Sequence, residues 1–148
     1  MRKFQAEYAL FFQTHRSPAN IAVHVASFAA VMLAFQSFIA RWPTVAAAVN
    51  ALYFASLCGM QGVPRTVLAA TFMAQAASFW LSRAQSISAM ACGAVFVAAY
   101  GLQDLSHIVT GEPTLQSLYS GGGAIQLGIE AAWHTYLQLP MLVQLLLE

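Results

Sequence analysis

Residues 17–40 read SPANIAVHVASFAAVMLAFQSFIA, and this stretch decides the fold class. Ser17 followed by Pro18 is typical of a helix start, because the missing N–H of proline is harmless in the first turn and its φ is already helical. The twenty residues from 21 to 40 carry no formal charge, and about that length crosses a bilayer as an α-helix. The stretch predicts a transmembrane helix that begins at about residue 18, with His24 in its first turns near the interface.

The composition extends this interpretation to the whole chain. Of the 148 residues, 59% are hydrophobic and only 7% are charged, which is too few for the charged shell of a water-soluble domain. The net charge of +1, with basic residues scattered singly, gives no electrostatic footprint for nucleic acid. We therefore expect a single integral-membrane domain over residues 1–148, with the lipid bilayer as its environment and no nucleic-acid partner.

Further apolar runs predict a polytopic bundle. Together with residues 21–40, they lie at residues 45–60, 67–81 and 87–102. The breaks between them contain proline, glycine or arginine, which end apolar helices. On the first run small residues recur every four positions and predict a helix-packing face; they are Ala22, Ala26, Ala30 and Ala34. The predicted fold is all-α, with about four transmembrane helices.

The two ends of the chain predict helices of another kind. Residues 4–14 mix aromatic and polar side chains and are too short to cross, so they predict an interfacial helix. Residues 124–147 are long enough to cross, but Glu130, His134 and Pro140 make a poor free-standing span. This segment predicts a helix packed partly in protein, and a fifth crossing stays open.

The basic residues predict the orientation. With four spans, Arg2, Lys3, Arg16 and Arg65 share the face of the N-terminus, and only two of the six basic residues fall on the other face. Basic loops favour the cytoplasmic side. We therefore expect the N-terminus to face the cytoplasm, in a bacterial inner membrane or in the endoplasmic reticulum of a eukaryote.

The four histidines are the candidate metal ligands. His15 and His24 flank the start of the first span and His107 follows the fourth, so an even number of crossings brings them to one face. His134 joins them if the glycines at 121–123 let the final helix return from that face. Imidazole is a common ligand of zinc, copper and iron. The alternative is that each histidine is a polar anchor at the membrane interface.

Polar side chains near the histidines are further candidates. Asp104 precedes His107 by three residues and Glu112 follows it in the next loop, so both are candidate catalytic carboxylates. Asn20 and Glu130 each precede a histidine by four residues and can orient an imidazole from the same helix face. Asp104 can act in that way too. In the alternative interpretation Asn20 caps a helix, and Glu130 forms an internal hydrogen-bonded pair with His134.

Two segments resemble a known family. One is Tyr8…His15-Arg16-Ser17-Pro18-Ala19-Asn20…His24, and the other is Gln103…His107…Gly111-Glu112-Pro113. Together they resemble the membrane family typified by the yeast 2-hydroxy fatty acid dioxygenase of α-oxidation. That family carries a His-Arg-x-Pro-x-Asn-x-x-x-His segment and later a Gln-x-x-x-His segment followed by Glu and Pro. The spacing from His107 to Glu112-Pro113 is longer here than in many members.

The resemblance implies a function. It implies an Fe(II)-dependent enzyme that uses O₂ to shorten a 2-hydroxy fatty acid by one carbon, with His15, His24 and His107 at the family's histidine positions. His134 is added from topology alone. An α-hydroxy carboxylate offers two oxygens to one metal, and Arg16 is a candidate to neutralise its charge, with a role as a topology anchor as the alternative.

Two other function classes stay open at this point. One is a non-enzymatic membrane protein whose histidines bind haem or a transported metal. The other is a purely structural small membrane protein, which carries no stoichiometric metal. The sequence has none of the GxxxxGK[ST], GxGxxG, HExxH or GxSxG motifs, which leaves nucleotide-binding, zincin and serine-hydrolase interpretations without support.

Overall fold

The computed structural model describes residues 4–114 and 123–148. Over these ranges the chain forms six α-helices and no strand. The helices are α1 (Phe4–Thr14), α2 (Pro18–Ile39), α3 (Pro43–Cys58), α4 (Arg65–Ser82), α5 (Ala89–Thr110) and α6 (Ala124–Leu147). The all-α prediction is confirmed. Residues 121 and 122 of the predicted glycine hinge lie outside the described ranges.

Two helices, α2 and α5, are long and apolar enough to cross a membrane. Each has 22 residues, and a helix of that length measures about 33 Å, slightly more than the hydrocarbon core of a bilayer. α3 is apolar but shorter, with 16 residues, and α4 has 18. Of the four predicted spans, the structure thus identifies two by length and composition.

The α2–α5 pair forms the most extensive helix contact and holds the polar centre of the fold. Proline begins α2 as predicted, with Ser17 in extended conformation before it. Ser88 begins α5 by accepting a hydrogen bond from the backbone N–H of Ala91. Such caps satisfy N–H groups that have no partner inside the helix.

α5 continues two turns beyond the predicted end of the fourth apolar run. Polar residues follow Leu102, yet Gln103, Ser106 and His107 recur at helical spacing and are buried. Gln103 donates to the hydroxyl of Ser27 on α2 (2.8 Å), so these polar groups are satisfied between helices. The prediction that His107 lies in a polar segment after the helix was therefore wrong; it lies in the last turn of α5.

Gly111 ends α5 with a left-handed φ of 70°. The next backbone N–H, from Glu112, turns back and donates to the carbonyl of His107 (3.0 Å). This Schellman-type ending favours glycine because other side chains are strained at positive φ. It points the chain after α5 back toward the beginning of α2.

The alanine stripe of α2 does not form the packing face. Ala22, Ala26 and Ala30 are exposed, and only Ala34 is buried. The buried face of α2 begins instead with Asn20, His24, Ser27 and Phe28. Polar residues of α2 form hydrogen bonds with α5, and these bonds determine which face of α2 is buried. The spacing of small residues alone does not reveal this face.

α1 and α6 pack together beside the α2–α5 pair. Phe4, Tyr8 and Phe11 of α1 are buried in the same apolar cluster as Leu137 and Met141 of α6. Tyr8 also donates to the Glu148 carboxylate (2.7 Å), which joins the two ends of the described chain. The buried run from Leu137 to Leu142 bears out the prediction that the last helix packs partly in protein.

Candidate metal centre

Three buried histidines from separate parts of the chain meet at one point. One ligand atom each from His15, His24 and His107 can be chosen so that all lie within 4.8 Å of one another. The ring centres of His15 and His24 are 4.2 Å apart, and each lies 4.9 Å from that of His107. The rings are mutually close to perpendicular, with interplanar angles of 79° to 88°. Among the described residues, this group can hold a metal ion.

His15 is held with one ring nitrogen aimed into the cluster. Its Nδ1 donates to the carbonyl of Phe11 (2.8 Å), and its ring stacks on that of Phe11 with centres 3.8 Å apart. Its Nε2 is buried with no hydrogen-bond partner. Burial is the largest cause, and the neighbouring His24 the second, that lowers the pKa of His15 to about 2. The ring is therefore neutral at physiological pH, and its Nε2 lone pair is available to a metal.

His24 is oriented in the same way by its own helix. Its Nδ1 donates to the carbonyl of Asn20 one turn earlier (3.0 Å). This hydrogen bond selects the tautomer in which Nε2 carries the lone pair, as is usual for histidine ligands. The residue is only 2% exposed.

The side chain of Asn20 connects the cluster to both helices. Its Nδ2 lies 3.2 Å from Nδ1 of His107, 3.2 Å from the carbonyl of Thr14 and 2.5 Å from the Glu112 carboxylate. Its Oδ1 accepts from the hydroxyl of Ser106 (2.5 Å). Asn20 thus neither caps the helix nor contacts His24 through its side chain in these hydrogen bonds; it bridges α2 to α5 around His107.

Glu112 follows the end of α5, and its side chain forms hydrogen bonds with the start of α2. Its Oε1 accepts from the backbone N–H groups of Arg16 (2.6 Å) and Ser17 (2.7 Å), and its Oε2 accepts from Asn20. Burial by itself raises the pKa of this carboxyl, but the N–H groups of Ser17 and Arg16 and the amide of Asn20 lower it, and the net pKa lies below its ordinary value. The anion also lies where the α2 dipole favours negative charge.

We expect Glu112→Gln to lower stability in a pH-dependent way. Near neutral pH the variant lacks the negative charge of the carboxylate that accepts these hydrogen bonds. It should therefore be about 1–2 kcal/mol less stable than wild type. Because the folded pKa is depressed, the advantage of wild type is complete above the unfolded pKa and is lost as pH falls through the folded pKa. Thermal unfolding in detergent from about pH 7 to about pH 3 checks this. A stability difference that is constant over this range would contradict it.

His134 and Glu130 lie beside the three-histidine group. The ring centre of His134 is 6.3 Å from that of His15 and 5.6 Å from that of Phe11, and His134 is outside the group whose ligand atoms approach within 4.8 Å. Glu130 is buried and accepts a hydrogen bond from Gln126 (2.6 Å). The structure thus brings three of the four predicted ligands together and places the fourth next to them.

Arg16 and Asp104 occupy different surroundings. The side chain of Arg16 is exposed, and its backbone N–H makes the contact with Glu112. Asp104 is partly buried on the face of α5 that carries His107. Asp104 lines a cavity between α5 and α6. The roles predicted for Arg16 and Asp104 remain predictions.

Two cavities meet at His107 and His134. A small pocket of about 30 Å³ lies between α1 and α6 and is also lined by His15, with room for one or two water-sized molecules. A larger cavity of about 330 Å³ lies between α5 and α6 and is also lined by His24. The cluster is therefore buried in protein, yet open to a space the size of a small-molecule site.

Several residues of the site were missed from the sequence. Phe11 and Thr14 support His15, and Ser106 connects α5 to Asn20 of α2. The spacing of Gln103, Ser106 and His107 was the available signal, because residues three and four apart share a helix face.

Comparison of the chain with protein-family models, with curated proteins and with solved structures finds no match in any of the three.

Proposed function

We propose that the chain is an Fe(II)-dependent dioxygenase that shortens 2-hydroxy fatty acids by one carbon. The proposal rests on the group of His15, His24 and His107, which is buried and open to the α5–α6 cavity. Within this group the imidazole of His15 is neutral. The two motifs that resemble the dioxygenase family contain all three histidines, together with Asn20 and Glu112.

Three histidine ligands suit a metal ion that must also bind molecules other than the protein. Three nitrogen ligands leave coordination positions for other groups on an ion that prefers five or six ligands. A 2-hydroxy acid supplies a carboxylate and a hydroxyl oxygen, and bound iron supplies the chemistry that activates O₂. The net reaction balances as hydroxy acid plus O₂ giving the acid one carbon shorter, CO₂ and water.

The chain's own residues have separate tasks in this proposal. The carbonyls of Phe11 and Asn20 hold Nδ1 of His15 and His24, which would leave Nε2 of each free to bind the ion, and Glu112 holds the two helix ends together. Asp104 lines the cavity, and in this proposal it exchanges a proton with the substrate hydroxyl. The exposed Arg16 side chain neutralises carboxylates that approach from the interface.

We further propose that α2 to α5 cross a membrane, with the site on the cytoplasmic face of a bacterial inner membrane or of the endoplasmic reticulum. The support is the apolar surface of these helices. Large hydrophobic side chains that are more than half exposed include Leu52, Met73, Trp80, Leu81, Met90, Val97, Ile108 and Val109. Such a surface favours lipid as its solvent, and four of six basic residues favour a cytoplasmic N-terminus.

Oxygen consumption by the iron-loaded protein tests the proposed reaction. Protein purified in detergent and reconstituted with Fe(II) under anaerobic conditions is given 2-hydroxypalmitate and then O₂. We expect equimolar loss of O₂ and of the hydroxy acid, with the acid one carbon shorter identified by mass spectrometry. Palmitate, which lacks the hydroxyl, is the control substrate and should not react. Iron-loaded protein that leaves 2-hydroxypalmitate intact would refute the proposed function, and a Soret band in the purified protein would favour haem binding instead.

A further inference from the structure

The cavity between α5 and α6 has two chemically different walls. The α5 wall is polar and includes Tyr100, Asp104 and His107. Apart from His134 at one end, the α6 wall consists of apolar and mostly small residues, among them Leu127, Gly128 and Ala131. Residues at these spacings share one face of each helix. An occupant of this cavity therefore has a polar side and an apolar side.

Small residues on α6 create the room in this cavity. Among the described residues, no atom lies within 4 Å of a Cβ atom added to Gly128, so this part of the structure leaves space directly above its backbone. Its φ is not positive, so the backbone itself does not require glycine at this position. With Ala131 one turn later, the α6 wall leaves a volume of about 330 Å³ open, which is within the range of small-molecule sites.

Two other cavities are apolar but lie away from the cluster. One, of about 440 Å³, lies between α3 and α4 and is lined by Phe54 and Phe72. Another, of about 330 Å³, lies between α2, α4 and α6. Neither is lined by a histidine, and the α1–α6 pocket at the histidines has only about 30 Å³, so a molecule whose head group lies at the cluster begins in the α5–α6 cavity.

We propose that the α5–α6 cavity holds the first part of an alkyl chain whose carboxylate head lies at His24 and His107, and that Gly128 and Ala131 determine which chains enter. The inference rests on the proposed function for the chemistry of the head group. Apolar contact with the α6 wall stabilises each buried methylene, and a larger side chain at Gly128 takes up the space that the chain needs.

Photolabelling locates the chain without requiring turnover. The probe is a 2-hydroxy fatty acid with a diazirine near its head, added to iron-loaded protein under anaerobic conditions. We expect labelled peptides from residues 124–131 and 100–107. Labelling confined to the α3–α4 cavity or to the α2–α4–α6 cavity, or no specific labelling, would overturn the inference.

Two glycine variants sharpen the test. Gly128→Leu fills the cavity, whereas Gly93→Leu makes the same change on α5 at a glycine that also has open space above it and does not line the cavity. Leucine improves helix propensity at both positions, so both variants should fold. We expect Gly128→Leu to weaken labelling and binding of the probe by about tenfold or more, with metal content unchanged and Gly93→Leu like wild type. Equal labelling of both variants would contradict the inference.

The outcomes also separate this inference from the proposed function. Labelling of residues 124–131 without O₂ consumption would support the chain site and refute the dioxygenase. Normal turnover with labelling elsewhere would support the dioxygenase and refute the chain site.

Discussion

Replacing His24 with alanine is expected to remove the metal from the protein, and replacing His107 with alanine is expected to do the same. Each substitution removes one of the three nitrogen donors that meet between α2, α5 and the end of α1. The affinity for Fe(II) should fall by more than about 100-fold, because loss of a direct ligand costs more than loss of the group that orients it. Metal per chain after desalting, measured by elemental analysis beside wild type, gives the result.

His134→Ala is the matched control for this prediction. It removes a histidine that lines the same two cavities but lies outside the three-histidine group. We expect this variant to keep its metal. Equal metal loss in His134→Ala would mean that α6 supplies a fourth ligand, and full metal content in His24→Ala would contradict the shared site.

Asn20→Ala should lower both stability and metal affinity. The side chain is fully buried and joins His107, Glu112, Ser106 and the carbonyl of Thr14. Its removal leaves several buried polar groups without this partner, which costs about 2–4 kcal/mol. Asn20 also holds α5 against α2 beside His107, and loss of a contact that positions a ligand costs about 10–100-fold in metal affinity. Thermal unfolding of the metal-free protein and Fe(II) titration measure the two effects separately.

Asn50→Ala provides the comparison, because Asn50 is also an asparagine in a hydrogen-bonded network between helices. It is bonded to Gln36 (2.7 Å) and Gln75 (2.6 Å), which lie on α2 and α4, and not to a histidine. This variant should lose stability and keep its metal affinity. If both variants changed metal affinity equally, the effect of Asn20→Ala would come from general loosening of the bundle.

The helices were predictable to the extent that local signals mark them. Pro18 begins α2 where the sequence indicated, and α1 spans the predicted residues 4–14. The end of α5 was missed because hydropathy falls at Gln103, although the helix continues. Hydropathy reports what lipid tolerates, whereas a helix continues wherever its polar side chains find partners, as Gln103 does at Ser27.

The histidines of the site were predictable from the sequence, but the residues that position them were not. Topology alone brought His15, His24 and His107 to one place, and the structure confirms that they meet. The bridging by Asn20 and the double N–H contact of Glu112 depend on how the ends of α2 and α5 face each other. Such contacts, between residues 86 to 96 positions apart, leave no periodic signal in a single sequence.

X-ray absorption at the iron edge of the Fe(II)-reconstituted protein tests the central claim most directly. If His15, His24 and His107 hold one ion, the spectrum shows about three imidazole nitrogens near 2.1 Å, with the remaining positions filled by oxygen. His107→Ala should reduce that imidazole contribution or leave no bound iron to measure. A wild-type spectrum with one imidazole or none, or with sulfur from Cys58 or Cys92, would contradict the three-histidine centre.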